Sequence, residues 1–347
     1  MGDGAVTAHS AIGAPLVVAH GGRLDAARRL YPNAPQPWID LSTGVNPRAY
    51  PLPPLADEVF TRLPDDDAFA ALDSAARKAY GAPAGADVVP GGGAQAFIQM
   101  LPRVFSAKRV AILGFTYAEH AACWAAMGAQ VETVETLDAL AGADVGVIVN
   151  PNNPDGRTVE PQDILSAATQ MSQRGRLLIV DESFMDFTPE GSVARLAQHE
   201  SLVVLRSFGK AYGLPGLRLG FALCSRWRGA KLRAALGPWA VSGPALAIGA
   251  RALADDAGRA NAARACAGDA ARLDALLTQA GFHIMGGTTL FRLAAHPQAA
   301  RCFTHLAARG ILTRAFAGKS DWLRFGLPPN EPAWARLAAA LESVDGD

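Results

Sequence analysis

An α/β fold built on a mostly parallel sheet is predicted by three features of the sequence. Short apolar runs rich in Val, Ile and Leu recur at 109–113, 145–149, 177–180, 202–205 and 218–223, as expected of strands buried on both faces of a sheet. Between the first four lie segments long enough for helices, the alternation of a parallel α/β sheet. After about residue 240 the texture changes to Ala/Arg/Leu-rich helical segments with few strand candidates.

Each element has a local reason. The first forty residues read as irregular, with a turn at Gly21-Gly22 and prolines at Pro32, Pro35 and Pro37. A helix is expected over 65–80, stopped by Gly81 as C-cap. Beyond the strand region, helix is expected over 244–280, around 298–309 and around 331–343. Short strands are expected near 289–293 and 322–326, which makes this a smaller α+β unit. The division follows as a large domain over 40–240, with 1–39 and 241–347 forming an N-terminal arm and a small C-terminal domain.

The 347 residues suffice for a sizeable core, and 50% hydrophobic with 18% charged residues describes a globular chain. Lys+Arg and Asp+Glu balance at 32 each. With no basic stretch, neither a nucleic acid nor a membrane surface is expected as partner. The four cysteines are scattered, with no metal-site or CxxC spacing, and read as free thiols of a reducing compartment. The start has no positive n-region, and 15–19 is too short for a signal segment or a membrane span, so a cytoplasmic protein is expected.

One set of residues carries chemistry. Lys210 closes Leu205-Arg206-Ser207-Phe208-Gly209-Lys210, and Arg218 follows in Pro215-Gly216-Leu217-Arg218. Asp181 ends the apolar run Leu177-Leu178-Ile179-Val180, and Asn153 lies in Asn150-Pro151-Asn152-Asn153-Pro154. An imine-forming lysine, a carboxylate for a pyridinium nitrogen, an asparagine for a ring oxygen and a Ser/Arg pair for a phosphate are what pyridoxal 5′-phosphate requires of a protein. Each alone has a plainer reading. A lysine after a strand is commonly solvated, an aspartate at a strand end commonly caps a helix, and an asparagine before proline commonly sits in a turn. Their occurrence together, with strand-like runs before them, favours the cofactor. Ser207 and Arg218 are phosphate candidates, and so is the turn Gly93-Ala94-Gln95, where a glycine run opens a helix and leaves N–H groups bare. Tyr117 is a candidate to stack on the ring. The spacing Gly91-x-Gly93-x-x-Ala96 also fits a dinucleotide fingerprint, but no Asp or Glu stands between Phe97 and Ala118 to meet a ribose. A dinucleotide-binding protein is therefore only a distant alternative.

Taken together these residues resemble the fold-type I, aspartate aminotransferase-like PLP enzymes over nearly the whole chain. Four segments are similar to the threonine-phosphate decarboxylase family of cobalamin biosynthesis. They are His20-Gly21-Gly22-Arg23-Leu24, Ile39-Asp40-Leu41-Ser42-Thr43-Gly44-Val45-Asn46-Pro47, the stretch from Arg206 through Lys210 and Arg218 to Gly220, and Pro238-Trp239-Ala240-Val241-Ser242. The Lys and Arg motifs are shared with histidinol-phosphate aminotransferase, the alternative reading. The resemblance implies a seven-stranded-type large sheet and a homodimer. It implies Lys210 as the Schiff-base lysine, Asp181 and Asn153 as partners of the ring, and Ser207, Arg218 and Gly93-Ala94-Gln95 as the phosphate cradle. It implies Arg324 on the amino-acid substrate, Arg314 and His20 on the substrate's own phosphate, and Asn46 as a further substrate contact.

The implied reaction is decarboxylation of L-threonine O-3-phosphate to (R)-1-amino-2-propanol O-2-phosphate and CO2. The same residues would serve a transamination. Two positions depart from the wider superfamily. Phe184 stands where a tyrosine is frequent, and Leu63 replaces the tyrosine of Arg-Tyr-Pro-Asp that reaches the partner subunit's cofactor phosphate.

Overall fold

The computed structural model describes residues 21–343. After the helix Leu24–Leu30 comes strand β1 (Ile39–Asp40), and then the helix Asp66–Tyr80. The Asp65 side chain accepts a hydrogen bond from the Ala68 N–H at the start of that helix. Asp66 and Asp67 sit in its first turn, with Arg77 and Lys78 in its last, where they complement the helix dipole. Gly81 ends it in the left-handed conformation, as expected.

Seven strands follow: β2 (Ala86–Gly91), β3 (Arg109–Leu113), β4 (Gln130–Val134), β5 (Val145–Val149), β6 (Leu177–Asp181), β7 (Leu202–Ser207) and β8 (Gly220–Ser225). They form one sheet in the order β2-β8-β7-β6-β5-β3-β4. The pairs from β4 through to β7 are parallel, while β8 runs antiparallel to both β7 and β2. Strands β5 and β6 are buried at every position, which is why they read as continuous apolar runs.

Two strands of this sheet escaped the sequence reading. β4 is an edge strand with a half-exposed polar pattern. β2 contains Pro90, which an edge strand tolerates because one of its sides needs no ladder hydrogen bond. β8 begins two residues later than expected, because Arg218 is left-handed at φ 55° and cannot continue a strand. The antiparallel β2/β8 pair also removes the dinucleotide alternative. The glycine turn after β2 does not belong to a parallel β-α-β unit, since β3 lies far across the sheet from β2.

The expected helix over 244–280 is two helices, Gly243–Ala254 and Asp256–Gln279, because Asp255 breaks the run and caps the second through the Gly258 N–H. Ala245, Leu246, Ala252 and Leu253 of the first helix pack in the same core as Leu72, Ala76 and Val204. The apolar core of the large sheet thus extends past residue 241, where the small domain was expected to begin.

The remaining strands, β9 (His283–Thr288), β10 (Phe291–Ala295), β11 (Ile311–Leu312), β12 (Arg314–Phe316) and β13 (Lys319–Gly326), lie among the helices Ala299–Ala308 and Glu331–Glu342. β12, β13, β10 and β9 make an antiparallel sheet. β1 pairs in parallel with β11, so the chain's beginning is sewn to its end. Trp38, Ile39 and Leu41 share a core with Leu306, Phe325 and Leu337. Among the described residues, no helix is long and apolar enough to cross a membrane, and no cluster of ligating side chains suits a metal ion.

Candidate active site

A cavity of about 810 Å³ lies at the carboxyl ends of β5, β6 and β7, the usual ligand position in an open parallel sheet. The hairpin β12–β13 and the turns around Gly21 and Ser42–Val45 supply its other walls. The expected residues Gly93, Ala94, Gln95, Tyr117 and Asn153 all line it. So do Asp181, Ser207, Lys210, Arg218, Arg314 and Arg324.

Lys210 sits on the single-turn helix Phe208–Ala211 directly after β7, with its Nζ 4.9 Å from the centre of the Phe184 ring. Loss of hydration pushes its amine below the ordinary lysine value. The Asp181 carboxylate opposes that push, and the positive charges of Arg324 and Arg218 add to it. Asp181 is buried at the end of β6. Burial presses its carboxyl up, but His120 outweighs this with a hydrogen bond from Nε2 to Oδ2 at 2.9 Å, and the Ser183 N–H donates to Oδ1 at 3.0 Å. The net shift is downward, so Asp181 is a permanent anion near neutral pH. Capping explains only one of its oxygens.

The helix Ala94–Val104 opens at Gly93, which is left-handed at φ 88°. No side chain caps it, and the Ala94 and Gln95 N–H groups lie at the cavity wall without intrahelical partners, while the Ala96 N–H closes on the Gly93 carbonyl at 3.1 Å. Arg218 reaches over this turn, and a Cβ at Gly93 would come within 3.0 Å of its Nη2. A Cβ at Gly220 would come within 2.5 Å of the Ala94 nitrogen, so β8 needs glycine there to bring the turn and Arg218 together. A bare helix N-terminus beside a guanidinium is a site for a phosphate. The Gln95 side chain is already committed. Its Nε2 donates to Glu119, and its Oε1 accepts from the Tyr117 hydroxyl at 3.1 Å. Burial, with the negative charges of Glu119 and Asp181, pushes the Tyr117 hydroxyl up to about 12 and keeps it a donor.

Arg314 and Arg324 are directly opposed across β12 and β13. Like charges in that register repel and cost stability. Burial, then the charge of Arg314, push Arg324 down to about 9, which still leaves it cationic at neutral pH. Its guanidinium donates to Asn153 Oδ1 and to the Ser42 carbonyl. Its buried Nε has no hydrogen-bond partner among the described residues. Two opposed arginines on one cavity wall are a cost that an anionic ligand offsets.

One expected residue among those described, Asn46, is not in the cavity lining. Asn46 is buried with its groups spent elsewhere. Nδ2 donates to the Ala211 carbonyl, while Oδ1 accepts from the Arg48 N–H and from the Cys266 thiol. Asn46 fastens the loop beside Lys210 and does not line the cavity. His20 lies outside the described residues. Of the two departures, Phe184 lines the cavity and packs edge-on against Phe291 at 4.9 Å, whereas Leu63 is 66% exposed.

Two functional contributors were missed by sequence reasoning. His120 gave only the weak signal of lying three residues after Tyr117, near the start of the same helix. Ser42 ties the walls together. Its hydroxyl donates to Asp40 at 2.5 Å and accepts from the Gly22 N–H at 2.7 Å, and its carbonyl receives Arg324.

The fold and cavity define a class, and the comparisons agree. The family model for aminotransferase class I and II matches residues 39–341. The chain is 43% identical to threonine-phosphate decarboxylase of Pseudomonas aeruginosa over 93% of its own length and 96% of the relative's. It is also 43% identical to threonine-phosphate decarboxylase of Sinorhizobium sp, over 96% of this chain and 99% of the relative. A solved structure of histidinol-phosphate aminotransferase from Sinorhizobium meliloti in complex with pyridoxal-5′-phosphate superposes with a TM-score of 0.77. It covers 92% of this chain and 94% of that one at 20% identity, a likeness of fold alone. The chain belongs to the aminotransferase class I and II family, in its threonine-phosphate decarboxylase branch.

Proposed function

We propose that this protein decarboxylates L-threonine O-3-phosphate to (R)-1-amino-2-propanol O-2-phosphate and CO2 with pyridoxal 5′-phosphate as cofactor, a step of cobalamin biosynthesis. The observation that carries the reading is the opposed pair Arg314 and Arg324, facing the cavity that also holds Lys210 and Asp181. A substrate with both a carboxylate and a phosphate needs two cations near the reacting carbon. Histidinol phosphate has no carboxylate to offer them.

The cavity residues fit the cofactor. A bare helix N-terminus beside Arg218 suits its phosphate, and a permanently ionised carboxylate suits its ring nitrogen. When bound, pyridoxal phosphate supplies an electron sink for the carbanion left at Cα. Asp181 holds a proton on the ring nitrogen because its own carboxyl stays ionised. Lys210 is the covalent anchor, and its lowered amine pKa increases the neutral fraction able to attack or to carry a proton. Asn153 gives its Oδ1 to Arg324, which leaves Nδ2 to donate to the ring oxygen. Ser207 and Tyr117 line the cavity, where Ser207 would add a hydroxyl to the phosphate cradle and Tyr117 would pack on the ring. Arg324 orients the substrate carboxylate and Arg314 meets the substrate phosphate, with His20 as a further candidate contact.

Three structural readings accompany the function. Leu52, Phe60 and Leu63 are all exposed in one stretch of chain, which supports a homodimer. The two apolar cores support a large and a small domain with the boundary shifted beyond residue 254. A cytoplasmic setting is consistent with four free thiols.

The test is an assay of the purified protein with threonine phosphate, measuring CO2 release with and without a keto-acid acceptor. Acceptor-independent CO2 release is expected, with little turnover of unphosphorylated threonine. A higher kcat/KM for histidinol phosphate with 2-oxoglutarate would overturn the reading.

A further inference from the structure

The hairpin β12–β13 carries more than its two arginines. Register puts Arg314 opposite Arg324, and past the bulge between Ala315 and Phe316 the rings of Phe316 and Trp322 both meet Phe115. Ala315 and Leu323 pack in the core of the small domain. The arginines stand deeper in the cavity and the aromatics nearer the tip of the hairpin, where they meet Phe115 of the large domain. Phe115 packs edge-on against Trp322 at 5.7 Å and against Phe316 at 6.2 Å. Lys319, at the tip, lies 4.7 Å from the centre of the Trp322 ring and 5.6 Å from that of Phe115.

This contact is not core packing, because Phe115 remains 38% exposed. It is a bridge between the two sides of the cavity mouth. Its large-domain half is fixed by Asn152, which donates from Nδ2 to the Phe115 carbonyl at 3.0 Å and accepts from the Thr116 hydroxyl at 2.5 Å. The next residue, Asn153, accepts from Arg324. The base of the hairpin is thus tied to Asn153 directly, and its tip meets Phe115, whose carbonyl Asn152 holds. Arg324 anchors the base, and the rings anchor the tip.

We propose that Phe115, Phe316, Trp322 and Lys319 form a clasp that holds the hairpin down over the cavity and so positions Arg314 against the anionic end of the substrate. This rests on the substrate reading above. The clasp residues are positioning residues. Edge-to-face rings and a cation over their faces add to simple area burial, and at a half-exposed site they are weak enough to open and close with substrate.

The test compares full-length, cofactor-loaded wild type with Phe115→Ala, Trp322→Ala, the double variant and the conservative Phe115→Tyr. In Phe115→Ala the KM for threonine phosphate should rise about tenfold, equivalent to ~1.4 kcal/mol, and by more than kcat falls. Phe115→Tyr, which keeps the ring pairs, should stay close to wild type. The double variant should be no worse than the poorer single variant, because both remove one shared contact. Amide hydrogen exchange across 314–322 should accelerate in Phe115→Ala while that of β5–β7 does not change. Additive losses in the double variant, or unchanged exchange over the hairpin, would overturn the clasp. The exchange measurement needs no turnover. A wild type that fails to decarboxylate threonine phosphate, yet shows the exchange change, refutes the substrate reading and leaves the clasp standing.

Discussion

Replacing His120 with phenylalanine isolates the contact that keeps Asp181 ionised. The imidazole is buried, its Nε2 stands 2.9 Å from Asp181 Oδ2, and its ring lies edge-on to Tyr117 at 6.3 Å. Phenylalanine keeps the ring volume and that aromatic contact but cannot donate. A hydrogen bond to a charged group is worth about 1.5–3 kcal/mol. Without that donor, burial is less opposed and the Asp181 carboxyl should rise. The cofactor-free variant should lose about 1.5–3 kcal/mol of stability in urea unfolding at neutral pH.

The sign of the pH dependence follows. A carboxyl depressed in the folded chain stabilises fully above its ordinary value, and the contribution is lost as pH falls through the folded value. The difference between wild type and variant should therefore shrink on acidification. In the loaded enzyme, kcat should fall roughly 10- to 100-fold, with KM much less affected, because the ring nitrogen is held protonated less firmly. Equal urea midpoints together with a normal kcat would refute the role given to His120.

Three further outcomes are expected. Lys210→Met should abolish turnover, and borohydride should no longer fix cofactor to the peptide around residue 210. Because the Lys210 amine is lowered in the folded chain, the cofactor-free variant should be more stable than wild type at neutral pH. That gain should vanish as pH rises through the ordinary lysine value; a gap that persists there would contradict it. Arg218→Ala should weaken pyridoxal phosphate binding about tenfold, the low end for a charge-assisted contact, because Arg218 is exposed and screened by solvent. An unchanged Kd would remove Arg218 from the phosphate site. Glu182→Ala should cost about 3–5 kcal/mol in urea, since it leaves the buried Arg206 with Asp186 alone and strips the Ser192 hydroxyl and the Val193 N–H of their acceptor. A loss below about 1 kcal/mol would show that the ion pair is not structural.

Much of the site was legible because it lies on strands with a strong local signal. Asp181 and Ser207 sit at the carboxyl ends of two buried strands, and Lys210 follows one turn later, so their mutual placement depends on a sheet that the apolar runs announce. Gly93 was legible because a turn that opens a helix from a positive φ favours glycine. The motif of Asn46 places it near the site, and only the fold shows both ends of its amide bonded to Ala211, Arg48 and Cys266. β4 was missed because an edge strand carries no continuous apolar run.

The sequence alone determined the class of sheet, the strands at its centre and the residue types a pyridoxal phosphate site requires, because each depends on local periodicity or on the chemistry of a single side chain. Tertiary structure decided which charges neutralise one another and which are left facing the cavity. His120 and Asp181 are 61 residues apart and Arg324 and Asn153 are 171 apart, and no local pattern pairs them. The opposed register of Arg314 and Arg324, and the aromatic contact across the cavity mouth, exist only once a hairpin from the end of the chain folds back over the carboxyl edge of the sheet. Burial and long-range proximity set the ionisation of these groups, and both are properties of the folded chain.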